Sequence, residues 1–126
     1  MKERIQTSSA PNALGPYSQA IETDDFLFCS GQGPIDPDTN ALIEGDVAAQ
    51  TERTLQNLGA VLEAAGLDFG DVVKTTCFLA DMDDFKAFNE VYGRFFPEPF
   101  PARTTIQAAR LPLDIDVEIE AIAKRR

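Results

Sequence analysis

Histidine is absent from the 126-residue chain. Its absence removes the commonest general base, the serine–histidine dyad and most zinc sites together. Acid–base chemistry, if present, falls to carboxylates, tyrosine, lysine or cysteine. Cysteine is nearly absent too. Cys29 and Cys77 each lie in an apolar, strand-like run, and no CxxC spacing occurs. Small buried residues in a reducing compartment account for both; a cysteine nucleophile lacking a histidine partner is the weaker alternative. No apolar run approaches the roughly 20 residues of a membrane span. The opening Met1-Lys2-Glu3-Arg4-Ile5-Gln6 lacks the apolar core of a signal peptide. A soluble, cytoplasmic protein with no membrane partner is the expectation. Internal repeats and low-complexity linkers are also missing.

Positive charge is in deficit. Eleven lysines and arginines stand against 21 aspartates and glutamates, for a formal net charge of −10. Such a field repels phosphate backbones, so no nucleic-acid partner is expected, although a local basic pocket stays open. Solubility explains the acidity; adaptation to a salty host is a further reading. The length fits one domain spanning residues 1–126, able to bury about two thirds of its unfolded surface without disulfides or metal.

What is present reads as alternating strands and helices. Residues 17–22 and 25–30 are strand-like, the second strongly so (DFLFCS). Turn-rich Gly31-Gln32-Gly33-Pro34 and Asp36-Pro37-Asp38 follow. Asp46 suits an N-cap. Thr51, Leu55, Leu58, Leu62 and Ala65 recur at helical spacing, and Gly66 suits the C′ stop. Residues 72–80 are β-branched and strand-like. Phe85, Phe88, Tyr92 and Phe95 mark the apolar face of a second helix, ended by Pro97, Pro99 and Pro101. Residues 103–108 form a short strand. Ile115, Val117, Ile119 and Ala121 then alternate with Asp116, Glu118 and Glu120. The order predicts an α+β single domain: a mixed β-sheet with two helices packed on one face.

One sheet face is then left uncovered. Alternation puts Glu118 on it. With Ile106 and Ala108 turned toward the helices, Arg103, Thr105 and Gln107 are expected to point with Glu118. Phe26, Phe28 and Ser30 are expected there as well. An exposed aromatic patch of this kind needs a cover, and a second copy of the chain is the natural one. Arg103 and Glu118 would then meet at a subunit seam. A purely structural salt bridge is the alternative for that pair.

Several segments stand out together: Gly15-Pro16-Tyr17-Ser18-Gln19, Ser30-Gly31-Gln32 with Pro34, and Ala64-Ala65-Gly66-Leu67. Val72-Val73-Lys74-Thr75-Thr76, Pro101-Ala102-Arg103, Ala109-Arg110-Leu111-Pro112 and residues 118–123 (EIEAIA) complete the set. On these motifs the chain resembles the Rid proteins (reactive intermediate deaminases, also called YjgF-like), most closely the RidA branch. The resemblance spans nearly the whole chain in the same order. The resemblance implies a chorismate-mutase-like fold, a homotrimer with sites between subunits, and no cofactor or metal. It also implies hydrolysis of 2-iminopropanoate and 2-iminobutanoate to 2-oxo acids and ammonia. Arg103 maps onto the residue that captures the substrate carboxylate and Glu118 onto the catalytic acid–base. Tyr17, Ser30 and Asn89 map onto pocket-lining positions. Main-chain N–H groups near Gly31 and Thr105 map onto carboxylate contacts, with Thr105 standing where many RidA members have cysteine.

Each mapped residue has an ordinary structural alternative. Tyr17 fits an interface aromatic, Ser30 a hydroxyl satisfying a strand-end backbone group, and Asn89 a solvated helix residue. Arg110 and Asp114 read as a turn-stabilising pair, and Glu120 ranks behind Glu118 as the acid–base group. Two further functions compete with the deaminase: a non-catalytic trimer that binds 2-oxo acids, and an endoribonuclease.

Overall fold

A computed structural model describes residues 1–126. Six strands form one mixed sheet in the order β1-β2-β3-β6-β4-β5. They are β1 (Glu3–Ile5), β2 (Ala20–Thr23), β3 (Phe26–Gln32), β4 (Val72–Leu79), β5 (Ala102–Gln107) and β6 (Val117–Lys124). All neighbouring pairs are antiparallel except β4–β5. A parallel pair needs a crossover, and α2 (Phe85–Phe95) supplies it. The other helix is α1 (Val47–Ala64).

The expected helix signals act as read. The Asp46 carboxylate accepts from the Ala49 N–H at 3.0 Å, a cap worth about 1 kcal/mol. At the far end Gly66 sits at φ +76°. There the Leu67 N–H reaches the Leu62 carbonyl and the Gly66 N–H that of Glu63, each at 2.9 Å. This paired termination depends on a left-handed residue, which glycine adopts without a Cβ penalty. The predicted stripe of α1 is the buried one: Thr51, Leu55, Leu58 and Leu62 have no exposed surface. Each buried leucine contributes about 1.5–3 kcal/mol.

Both helices lie on the sheet face that carries Leu27, Cys29, Thr75, Cys77, Leu79, Val117, Ile119 and Ala121, all buried. The opposite face presents Phe26, Phe28 and Ile106 at 39%, 45% and 46% exposure. That amount of aromatic and aliphatic surface on one face exceeds what scattered surface residues account for.

Two elements depart from the sequence reading. The three-residue edge strand β1 pairs with β2, although its polar sequence (ERI) gives no apolar alternation to find. Residues 17–19 lie outside β2 because buried Gln19 ties the preceding loop down. Its side-chain nitrogen donates to the carbonyls of Thr7, Ala10 and Pro11, while its oxygen accepts from the Thr7 N–H. No helix is long and apolar enough to cross a membrane.

Candidate active site

The mapped residues fall into two groups, on opposite faces of the sheet. Glu118 belongs to the first. Its neighbours Val117 and Ile119 are completely buried against the helices, so alternation along β6 turns Glu118 to the uncovered side. It lines a cleft with Tyr17, Gly31, Leu113 and Ile115. Half buried, its carboxyl is raised above the usual glutamate range, first by desolvation and then by the Glu120 charge. A carboxyl shifted this way is a better proton acceptor from water.

A β-bulge brings Gly31 to Glu118. Cys29 pairs with Ala121 and Gln32 with Ile119, so one extra residue is inserted into β3 across Ser30 and Gly31. A Cβ added at Gly31 would lie 2.6 Å from the nearer Glu118 carboxylate oxygen, so glycine is what lets the carboxylate lie against the strand. Gly31→Ala should therefore leave the fold intact and displace Glu118. Turnover is expected to fall roughly a hundredfold, the usual consequence of a misplacement near 1 Å, with little change in the thermal midpoint.

Ser30 and Tyr17 shape this cleft. The Ser30 hydroxyl donates to the Ser18 carbonyl at 2.6 Å, so its proton is committed to bracing the Tyr17 loop against β3. The Tyr17 hydroxyl accepts from the Leu14 N–H at 3.1 Å, which leaves an exposed ring at the cleft mouth. One supporting residue was not legible in the sequence. Asn57 on α1 is fully buried and donates to the carbonyls of Gly33 and Ile35 at 2.9 and 2.8 Å, fixing the chain as it leaves the bulge. A lone asparagine on an amphipathic helix carries no sequence mark to distinguish it from a surface residue.

Arg103 belongs to the second group. Its guanidinium donates to the Asn89 side-chain oxygen at 2.8 Å. The guanidinium carbon lies 4.8, 5.5 and 5.8 Å from the ring centres of Tyr92, Phe85 and Phe88. All four partners are on α2, so Arg103 faces the helices. The expectation that Arg103, Thr105 and Gln107 point with Glu118 is therefore corrected. The parallel register sets Arg103 beside buried Thr75 and Thr105 beside buried Cys77, while Gln107 accepts from the Met82 N–H at 2.7 Å on the helix side. Ile106 takes the uncovered face instead. The strand ARTTIQ holds too little apolar contrast to fix its own phase. The aromatic side of α2 hosts the Arg103 guanidinium through contacts with three ring faces.

Arg103 and Asn89 line a second, shallower depression with Tyr92, Gly93 and Phe100. Thr105 lies beside it, its hydroxyl buried and without a hydrogen-bond partner. The four ion pairs of the chain involve Arg110, Arg125 and Arg126. Arg103 is half buried and has no carboxylate partner in a chain that carries 21 of them. No group of three or more metal-ligating side chains is assembled. Burial pushes the Cys29 thiol up to about 12 and Cys77 to about 11, so neither supplies a thiolate near neutrality.

A family model described as Endoribonuclease L-PSP matches residues 7–125. The chain belongs to this family, the Rid (YjgF-like) proteins. Among its relatives, a RutC family protein of Pyrococcus horikoshii is 52% identical over 98% of each chain. The 2-iminobutanoate/2-iminopropanoate deaminase of Salmonella typhimurium is 49% identical over 100% of both chains. The crystal structure of Escherichia coli TdcF with bound serine matches with a TM-score of 0.94 at 44% identity, covering 98% of this chain and 99% of that one. The Rid assignment and the YjgF-like α+β fold thus agree with what the motifs implied. Within this chain, however, Arg103 and Glu118 lie on opposite faces of the sheet and do not face each other.

Proposed function

We propose that this Rid protein hydrolyses short 2-imino acids, 2-iminopropanoate and 2-iminobutanoate, to 2-oxo acids and ammonia at seams between the subunits of a homotrimer. The observation that carries this reading is Arg103. Its guanidinium is half buried and has no internal counter-ion, which supports a role in taking an external carboxylate. The name of the Salmonella relative supports the substrate class. So does the serine bound to TdcF, since an amino acid and an imino acid share a carboxylate next to a nitrogen-bearing carbon.

Arg103 of one protomer holds the carboxylate through its planar fork, and this orients C2 of the imine. Glu118 of the next protomer accepts a proton from water as the oxygen attacks C2. Glu118 then returns that proton to the amine nitrogen, and the tetrahedral adduct expels ammonia as its hydroxyl proton passes back to the Glu118 carboxylate and the C2–O bond becomes a carbonyl. No step routes through a metal or organic cofactor, because a protonated imine is already electrophilic. The uncovered sheet face, with Phe26, Phe28 and Ile106, is the surface that the neighbouring copy covers.

Subunit mixing tests the arrangement. Arg103→Ala and Glu118→Gln proteins should each be inactive with a serine or threonine dehydratase supplying imine. Unfolding and reassembling them together should restore about a quarter of wild-type activity, since a random ring gives one seam in four both intact groups. No recovery, with native mass spectrometry confirming mixed trimers, would place both groups in one chain's site and reject the arrangement.

RNA cleavage is a second reading, favoured by the family's description. The net charge of −10 and the absent histidine oppose it. RNA left intact by re-purified, nuclease-free protein removes it. A non-catalytic 2-oxo acid binder would tolerate Glu118→Gln with its cellular role unchanged.

A further inference from the structure

Arg103 is held without being neutralised. Around it α2 places three ring faces and one amide oxygen, at Phe85, Phe88, Tyr92 and Asn89. Tyr92 is itself fixed by a buried hydrogen bond between its hydroxyl and that of Thr75 at 2.8 Å. Ring faces carry negative electrostatic potential and stabilise a partly desolvated cation. An amide oxygen accepts its hydrogen bond and, unlike a carboxylate, brings no formal charge. The four residues recur at helical spacing, which gathers them on one face of α2. Nearby acids are not recruited: Glu90, next to Asn89 in sequence, is exposed and forms no ion pair.

From this we infer that Asn89 and Phe85 are positioning residues whose task is to fix the Arg103 guanidinium while leaving its full charge for an incoming carboxylate. Asn89 therefore acts through Arg103. The inference rests on the reading of Arg103 as the carboxylate-binding group, and it adds that a neutral side chain is required at position 89. An aspartate there keeps the shape and the acceptor oxygen but forms an ion pair, so the arginine meets the substrate already neutralised. A merely structural asparagine would accept the same change.

The test uses Asn89→Asp and Phe85→Leu in the full-length protein, with imine hydrolysis, calorimetric binding of pyruvate and the Arg103 Nε–H resonance as readouts. The Arg103 signal should be shifted upfield by ring currents in the wild type and in Asn89→Asp, and less so in Phe85→Leu. For Asn89→Asp the KM for imine and the Kd for pyruvate should each rise about fiftyfold or more. In that variant kcat should stay within about threefold and the thermal midpoint should be unchanged or higher, since uniform binding is what is lost. Phe85→Leu should raise both constants about fivefold. An Asn89→Asp protein that binds pyruvate within twofold of wild type overturns the inference, whatever its activity. Wild-type protein that binds pyruvate without hydrolysing imine sinks the deaminase reading alone, and the inference then stands or falls on the binding ratio. Wild-type protein that does neither removes both.

Discussion

Arg103→Ala should lower kcat/KM for 2-iminobutanoate at least about a thousandfold, to the background set by water. Two charge-assisted hydrogen bonds to a carboxylate, at about 1.5–3 kcal/mol each, account for roughly 4 kcal/mol, or three decades in rate. The protein should still fold. Arg103 has no ion-pair partner to strand, and its removal exposes only the rim of an aromatic cluster. Arg103→Lys should recover little, because an ammonium lacks the two-pronged geometry of the guanidinium. The measurement is 2-oxo acid formation coupled to a dehydratase, with circular dichroism as the folding control. Full activity in Arg103→Ala would mean that the cation serves the fold or the interface and not the substrate.

Glu118→Gln should separate rate from stability. Loss of the proton acceptor is expected to lower kcat by about 10²–10⁴-fold with little change in KM. The thermal midpoint near neutrality should rise. Burial, and secondarily Glu120, raise the Glu118 carboxyl above its ordinary value, so the folded chain holds this proton more tightly than the unfolded chain does. Its contribution to stability is full below the unfolded pKa and is lost as pH climbs through the raised folded value. At neutral pH the ionised carboxylate is thus a net cost, which the uncharged amide removes. Calorimetry over roughly pH 4 to 8 should show the variant's advantage growing with pH and levelling off once Glu118 is fully ionised. Wild-type kcat/KM should rise through the same titration. A variant less stable than wild type at neutral pH would show that Glu118 serves packing.

How much of this was legible depended on local contrast in each strand. β6 alternates fully between apolar and acidic residues, so the face of Glu118 was evident from residues 115–121 alone. β5 has one large apolar residue, Ile106, and turning it inward on apolarity alone gives the strand the opposite phase to the one it adopts. Its phase is set from outside, by register with β4 and by the aromatic side of α2, and neither is a local property of ARTTIQ. The helices are legible because capping and stopping are local chemistry at Asp46 and Gly66. The bulge at Ser30 and Gly31 was beyond reach, since it is defined by the partner strand. The motifs single out Arg103 and Glu118 as candidates, but their division between two faces is a long-range outcome of sheet order.

That division has a consequence for how the protein is switched off. With the site proposed at the seam, a chain that offers Arg103 on one side and Glu118 on the other completes no site alone. Separating the copies would silence the chemistry while each fold stayed whole, so abundance, and not folding, would mark the boundary between an active population and an inert one.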